Sequence, residues 1–210
     1  MLLVSIQTNL NPYITSSFGF HGLLATIGIV SSILGGTSSF TVAKIIDIWG
    51  RLEGFLTMLL IVSVGLIMKA TCQSVEAYAA AHTIYWVGHL SLGYVISIII
   101  ADMTSLRNRM IMITLNGTPT IATVFAGPAI AELFYVKSNF RWAFGAFCII
   151  LVAVSIPVAV IMLLNQIKAK REGLVPKRDS GRTIFQSVKY YLIEFDGMFA
   201  RLANRTQQIY

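Results

Sequence analysis

An all-α membrane protein with about five transmembrane helices is the architecture this sequence predicts. Three observations carry it. The 210 residues are 56% hydrophobic and only 12% charged, about half the charge fraction of roughly 25% usual in soluble domains. Mean hydropathy is +0.74. The apolar residues gather in runs of roughly 20, enough for a helix to cross a hydrocarbon layer about 30 Å thick. Backbone polar groups in lipid must bond within their own segment, so such runs are helices.

Residues 1–19 read as an extracellular stretch or the end of an absent first helix. Met1 to Thr8 has no basic stretch of the kind that opens a signal peptide. A five-helix region follows over 20–166. Its first span covers 20–43 and is rich in Ile, Leu, Gly and Ser; Lys44, Asp47, Arg51 and Glu53 then make a short polar hairpin. The second span covers 54–72. The third covers 77–101 and ends at a charged loop with Asp102, Arg107 and Arg109. The fourth, 110–135, holds Pro119 and Pro128, which neighbouring helices or water can accommodate. The fifth covers 142–164. Residues 167–210 turn polar and basic, and there Ile184, Phe185, Val188, Leu192 and Phe195 recur at helical spacing. That spacing predicts an amphipathic helix over 183–196 lying on the membrane surface.

Charge sets the orientation. Of the 16 Lys and Arg, all but Lys69, Lys137 and Arg141 fall on one side of the predicted spans. By the positive-inside rule that side is cytoplasmic: the first-to-second and third-to-fourth loops and the tail. The first span then enters from outside, and the odd number of spans leads to the expectation that a further helix precedes it. The net charge of +7 is accounted for by topology, so no nucleic-acid partner is expected. Small residues recur every four positions at Ser31, Gly35 and Ser39 and at Gly93, Ser97 and Ala101, predicting two faces for close helix packing. Cys72 and Cys148 read as two buried thiols, without metal-ligand or disulfide spacing.

The first-to-second loop, Ala43-Lys-Ile-Ile-Asp-Ile-Trp-Gly-Arg51, resembles motif A of the major facilitator superfamily, with Ala43 and Leu52 departing from the general pattern. Asp47 can pair with a helix end, Gly50 can make the tight turn, and Arg51, like Lys44, anchors the loop in the cytoplasm. Ile100-Ala-Asp-Met-Thr-Ser-Leu-Arg-Asn-Arg109, Phe125-Ala-Gly-Pro-Ala-Ile-Ala-Glu132, Phe140-Arg-Trp142, Gly181-Arg-Thr, Gln186-Ser and Glu194-Phe-Asp196 follow in order. Together these segments resemble the fungal siderophore-iron transporter branch of that superfamily over about Asn9 to Met198. The resemblance implies a partial bundle, an incomplete N-terminal half with helices two to six and the central loop. It also implies proton-coupled uptake of a ferric siderophore across the plasma membrane or an endosomal or vacuolar membrane. Lipid, the chelate and protons are the implied partners; iron travels only as the chelate, and no cofactor or metal site is implied. The arginine many members carry four residues before a fourth-helix glycine is Ile84 here, ahead of Gly88. After Met198 the ending departs from the family, as a truncated chain or incomplete gene model would.

Ionisable groups inside lipid are costly and mark candidate functional positions. His89, midway along the third span, and Glu132, a turn after Pro128, are the candidates for proton handling or substrate contact, with Tyr85 beside them. His82 and Lys69 belong to the same set of ionisable positions, but Glu132, His82 and Lys69 can also sit near the extracellular interface with their charged ends in water, which is the preferred reading for Glu132 and above all for Lys69. Tyr85, Trp86 and Tyr94 could line a cavity or simply pack. Gly127-Pro128 predicts a helix bend. The competing readings are a drug or organic-anion carrier sharing motif A, and a truncated membrane protein that transports nothing. No acid pair, metal cluster, phosphate loop or activated nucleophile has the spacing an enzyme would need.

Overall fold

A computed structural model describes residues 2–18, 23–137 and 140–172. Seven α-helices occupy them: α1 (Leu2–Phe18), α2 (Leu23–Trp49), α3 (Arg51–Thr71), α4 (Val75–Met103), α5 (Leu106–Gly117), α6 (Pro119–Lys137) and α7 (Phe140–Arg171). No strand occurs among the described residues. Among the described residues five stretches are long and apolar enough to cross a membrane: Thr26–Asp47, Arg51–Thr71, Val75–Met103, Leu106–Phe134 and Arg141–Arg171. The amphipathic helix expected over 183–196, and the segments at Gly181, Gln186 and Glu194, lie outside the described residues.

Several boundaries differ from expectation. Asp102 lies inside α4, and Arg107 and Arg109 lie inside α5, so the charged loop expected there shrinks to Thr104 and Ser105; α7 continues past residue 164 to Arg171. The polar hairpin predicted between the first two spans is a single residue. Helix α2 runs through Lys44 and Asp47 to Trp49, and only Gly50, at φ 117°, separates it from α3. Charged residues at a helix end sit comfortably in the interfacial layer, so their presence did not end the helix; a positive φ did. The fourth span is split. Pro119 has no N–H to continue the ladder, so α5 closes at Thr118, whose N–H reaches the Leu115 and Thr114 carbonyls. Pro119 then begins α6, the position where a missing N–H costs nothing. Helix α4 starts under better control: Ser74 Oγ accepts the Ala77 N–H at 3.2 Å, with Glu76 in the first turn.

The closest packing is between α3 and α4, and glycine makes it possible. A methyl group on Gly65 would meet the Tyr85 backbone at 2.6 Å, and one on Gly88 would meet the Val62 nitrogen at 2.9 Å. Helix α2 packs on α4 through hydroxyl pairs, Ser31 with Thr83 at 3.1 Å and Ser38 with Ser91 at 3.3 Å. Gly35 faces Leu90 there, so the predicted small face of the first span is an interface. Among the described residues the second predicted face packs against no helix. Gly93 has nothing within 4 Å of an added methyl, and Ser97 is exposed and bonds its own helix at the Gly93 carbonyl. Helix α1 lies along α6, where Gly127 faces Ser5 across the contact; Pro128 follows inside α6.

Candidate functional site

Two constellations bring predicted residues together, at opposite ends of α3. At its N-terminus Arg51 joins three helices. Its Nη1 donates to Asp47 Oδ1 on α2 at 3.1 Å, across the Gly50 break, and its Nε donates to Asp102 Oδ2 on α4 at 2.8 Å. A carboxylate in the last turn of α4 faces the negative end of the helix dipole, which Arg51 offsets. Arg109 contributes from α5, donating Nη2 to the Ala101 carbonyl at 3.0 Å. The motif A-like loop and the third-to-fourth loop, separate in sequence, therefore form one ionic clasp. Arg107 is exposed beside it, and Lys44 is half-buried on α2.

Beneath the clasp lies a cavity of about 310 Å³ lined by residues that include Arg51, Glu53, Asp102, Asn165 and Gln166. Gln166 Nε2 donates to Glu53 Oε1 at 2.8 Å and so ties α7 to α3. Glu53 Oε2 is buried with no hydrogen-bond partner. Sequence reasoning missed Gln166, because a glutamine at the end of an apolar helix gives no sign of which carboxylate it meets.

At the other end of α3, Lys69 does not reach for the interface; it is 0% exposed. Its ammonium lies 4.1 Å from the Tyr85 ring centroid, 5.2 Å from that of Phe144 and 5.7 Å from that of Tyr78. Aromatic faces carry negative charge density and hold a cation in place of water. Lys69 Nζ also lies 3.1 Å from His82 Nδ1, which Gln7 Nε2 of α1 approaches at 2.8 Å. One ring nitrogen thus meets both an amine and an amide nitrogen, and which of them donates is set by the imidazole tautomer and by whether Lys69 carries its proton. The missed residue here is Gln7. It lies on the α1 face that buries Ile6 and Leu10, and that spacing was its only signal.

The predicted pair His89 and Tyr85 continues the cluster along α4. Their rings stack at 5.6 Å, Trp86 sits 5.8 Å from His89, and His82 stacks on Trp86 at 5.9 Å. Tyr85 is fully buried, and its hydroxyl and Gln7 Oε1 have no hydrogen-bond partner. Tyr94 is exposed farther along, and Glu132 is exposed on α6. Cys72 and Cys148 are buried and unbridged; Cys72 bonds the Lys69 carbonyl, and burial pushes its thiol up from the ordinary range. Among the described residues no group of His, Cys, Asp and Glu could hold a metal ion.

Comparison with known proteins places this architecture. The chain is 61% identical over 196 residues, 93% of its length, to "MFS siderochrome iron transporter 1" of Ajellomyces capsulatus, and the match covers 35% of that protein. It is 43% identical over 91% of its length to "Siderophore iron transporter mirB" of Emericella nidulans, and 41% identical over 91% to "MFS siderochrome iron transporter D" of Aspergillus fumigatus; each match covers 32% of the relative. The chain thus spans about a third of the length of these relatives. No solved structure matches it. The family model described as Major Facilitator Superfamily matches residues 1–202; with its apolar helices and the clasp where motif A was expected, the chain belongs to the major facilitator superfamily as an integral, multi-pass membrane protein.

Proposed function

We propose that this chain is part of a secondary transporter that takes up ferric siderophores, driven by protons. The observation that carries the reading is the 61% identity, across 93% of the chain, to a protein named as a siderochrome iron transporter. The geometry supports it. A transporter alternates between packings of its helices, and the Arg51 clasp joins α2, α3 and α4 through exposed ionic contacts that can open at little cost. His89, Tyr85 and Glu132 remain the candidates for contact with proton or substrate. Iron is carried only as its chelate, with no resident cofactor. The clasp faces the cytoplasm, and the membrane is the plasma membrane or an endosomal or vacuolar one.

The test is uptake of radiolabelled ferric hydroxamate chelates by cells expressing the full-length protein. Chelate-dependent iron accumulation that collapses with a protonophore is expected. Accumulation of free iron alone, or of lipophilic drugs in place of the chelates, would overturn the reading.

A further inference from the structure

We propose that Lys69 and His82 form a one-proton pair, the site at which the transporter takes up and releases its coupling proton. The inference rests on the proton-coupled reading above but assigns the step to residues that reading does not use. Four observations converge on it.

The Lys69 head is entirely enclosed, and no carboxylate among the described residues accompanies it. A permanent structural cation inside a membrane protein is normally matched by an acid. Here the ammonium is matched by rings from two helices, Tyr78 and Tyr85 on α4 and Phe144 on α7, which favour the charged form yet tolerate the neutral one. Its nearest polar atom, His82 Nδ1 at 3.1 Å, is a base. Gln7 Nε2 of α1 lies 2.8 Å from the same nitrogen, so a further helix touches the atom with which Lys69 shares the proton.

The balance of protons follows from this geometry. With one proton, the pair is either an ammonium donating to a neutral imidazole or a neutral amine accepting from an imidazolium Nδ1–H, and the transfer moves one proton along one hydrogen bond. A second proton would set two cations face to face. Losing the proton to water leaves a neutral amine and a neutral imidazole. The pair therefore cycles between charge +1 and zero. Because α3, α4 and α7 all contribute to the box and α1 supplies Gln7, the change in charge alters the attraction between four helices at once. Among the described residues, the other titratable or charged groups near the pair are Tyr78, Tyr85 and His89 on α4, Cys72 just after α3, and Arg141 on α7, which acts on Cys72.

The test has two arms on the full-length protein in lipid. Nitrogen NMR of labelled lysine and histidine between about pH 5 and pH 10 should show the Lys69 Nζ and His82 Nδ1 resonances moving with one common midpoint, as a shared proton requires. Separate midpoints, or no change in either, would overturn the proposal whether or not the protein transports. In the second arm, chelate accumulation is measured between about pH 5 and pH 8. The wild type should change at least about tenfold across that range, and Lys69→Arg, which keeps a charge it cannot release, should change less than about twofold. An unaltered profile in Lys69→Arg sinks the pair as the coupling site. A wild type showing the common midpoint but moving no chelate would instead sink the siderophore reading and leave the pair standing.

Discussion

Arg51 Nε lies 2.8 Å from Asp102 Oδ2, so residues 51 positions apart close the same end of α3 and α4. Both side chains are partly exposed, which limits the worth of the contact to about 0–1 kcal/mol. Arg51→Ala and Asp102→Ala should each lower thermal stability in detergent only slightly. The charge swap, Arg51→Asp with Asp102→Arg, should recover more than either single reversal. A double-mutant cycle on melting temperatures measures the coupling.

Glycine positions give a sharper contrast. Gly65→Ala drives a methyl into the Tyr85 backbone, which cannot rotate away, and should destabilise the protein by about 1–3 kcal/mol. Gly93→Ala meets nothing and should be neutral or stabilising by up to about 1 kcal/mol. Thermal unfolding of the two variants side by side checks the placement of the helix faces.

Gly50→Ala should cost about 1–3 kcal/mol through its positive φ. The added methyl would also lie 2.7 Å from Glu53 Oε2. A melting temperature equal to that of the wild type would show that α2 and α3 are not joined through a left-handed residue.

Gln166→Leu removes the donor to Glu53 Oε1 and leaves a carboxylate whose other oxygen already lacks a partner. A loss of about 1–3 kcal/mol is expected. Glu53→Gln combined with Gln166→Leu should cost less than the sum of the separate changes, again read from unfolding.

Cys72 should label slowly with a maleimide at neutral pH. Burial shields the sulfur and holds its thiol above the ordinary range, so the reactive thiolate forms only as pH climbs further. The rate should rise steeply with pH, and detergent denaturation should abolish the protection. Fast labelling at neutral pH would contradict the buried placement.

The spans were legible because bilayer thickness imposes a length and a composition that hydropathy reads directly. The joints were not. Lys44, Asp47, Arg51 and Glu53 look like a loop in sequence, yet charged side chains at a membrane surface interrupt hydrophobicity without interrupting a helix. Only the backbone of Gly50 shows where α2 stops. Asp47, Gly50, Arg51 and Asp102 were each singled out beforehand, but their meeting depends on how α3 packs against α4, which no local pattern encodes. The same packing separates Gly65 and Gly88, which touch backbone, from Gly93, which touches nothing. Lys69 was misjudged for a related reason. Its distance from the end of α3 allows a long side chain to reach water, and only the positions of Tyr85 and Phe144 show that it folds inward.

The single residue between α2 and α3 has a mechanical consequence. The Gly50 N–H bonds the Ile46 carbonyl at 3.0 Å and its own carbonyl receives the Gly54 N–H at 3.1 Å, so neither rod has slack at the joint. Tilting one drags the other, and the two behave as an elbow of fixed throw. Arg51, bonded to Asp47 across the joint and to Asp102 of α4, ties that elbow to a third helix.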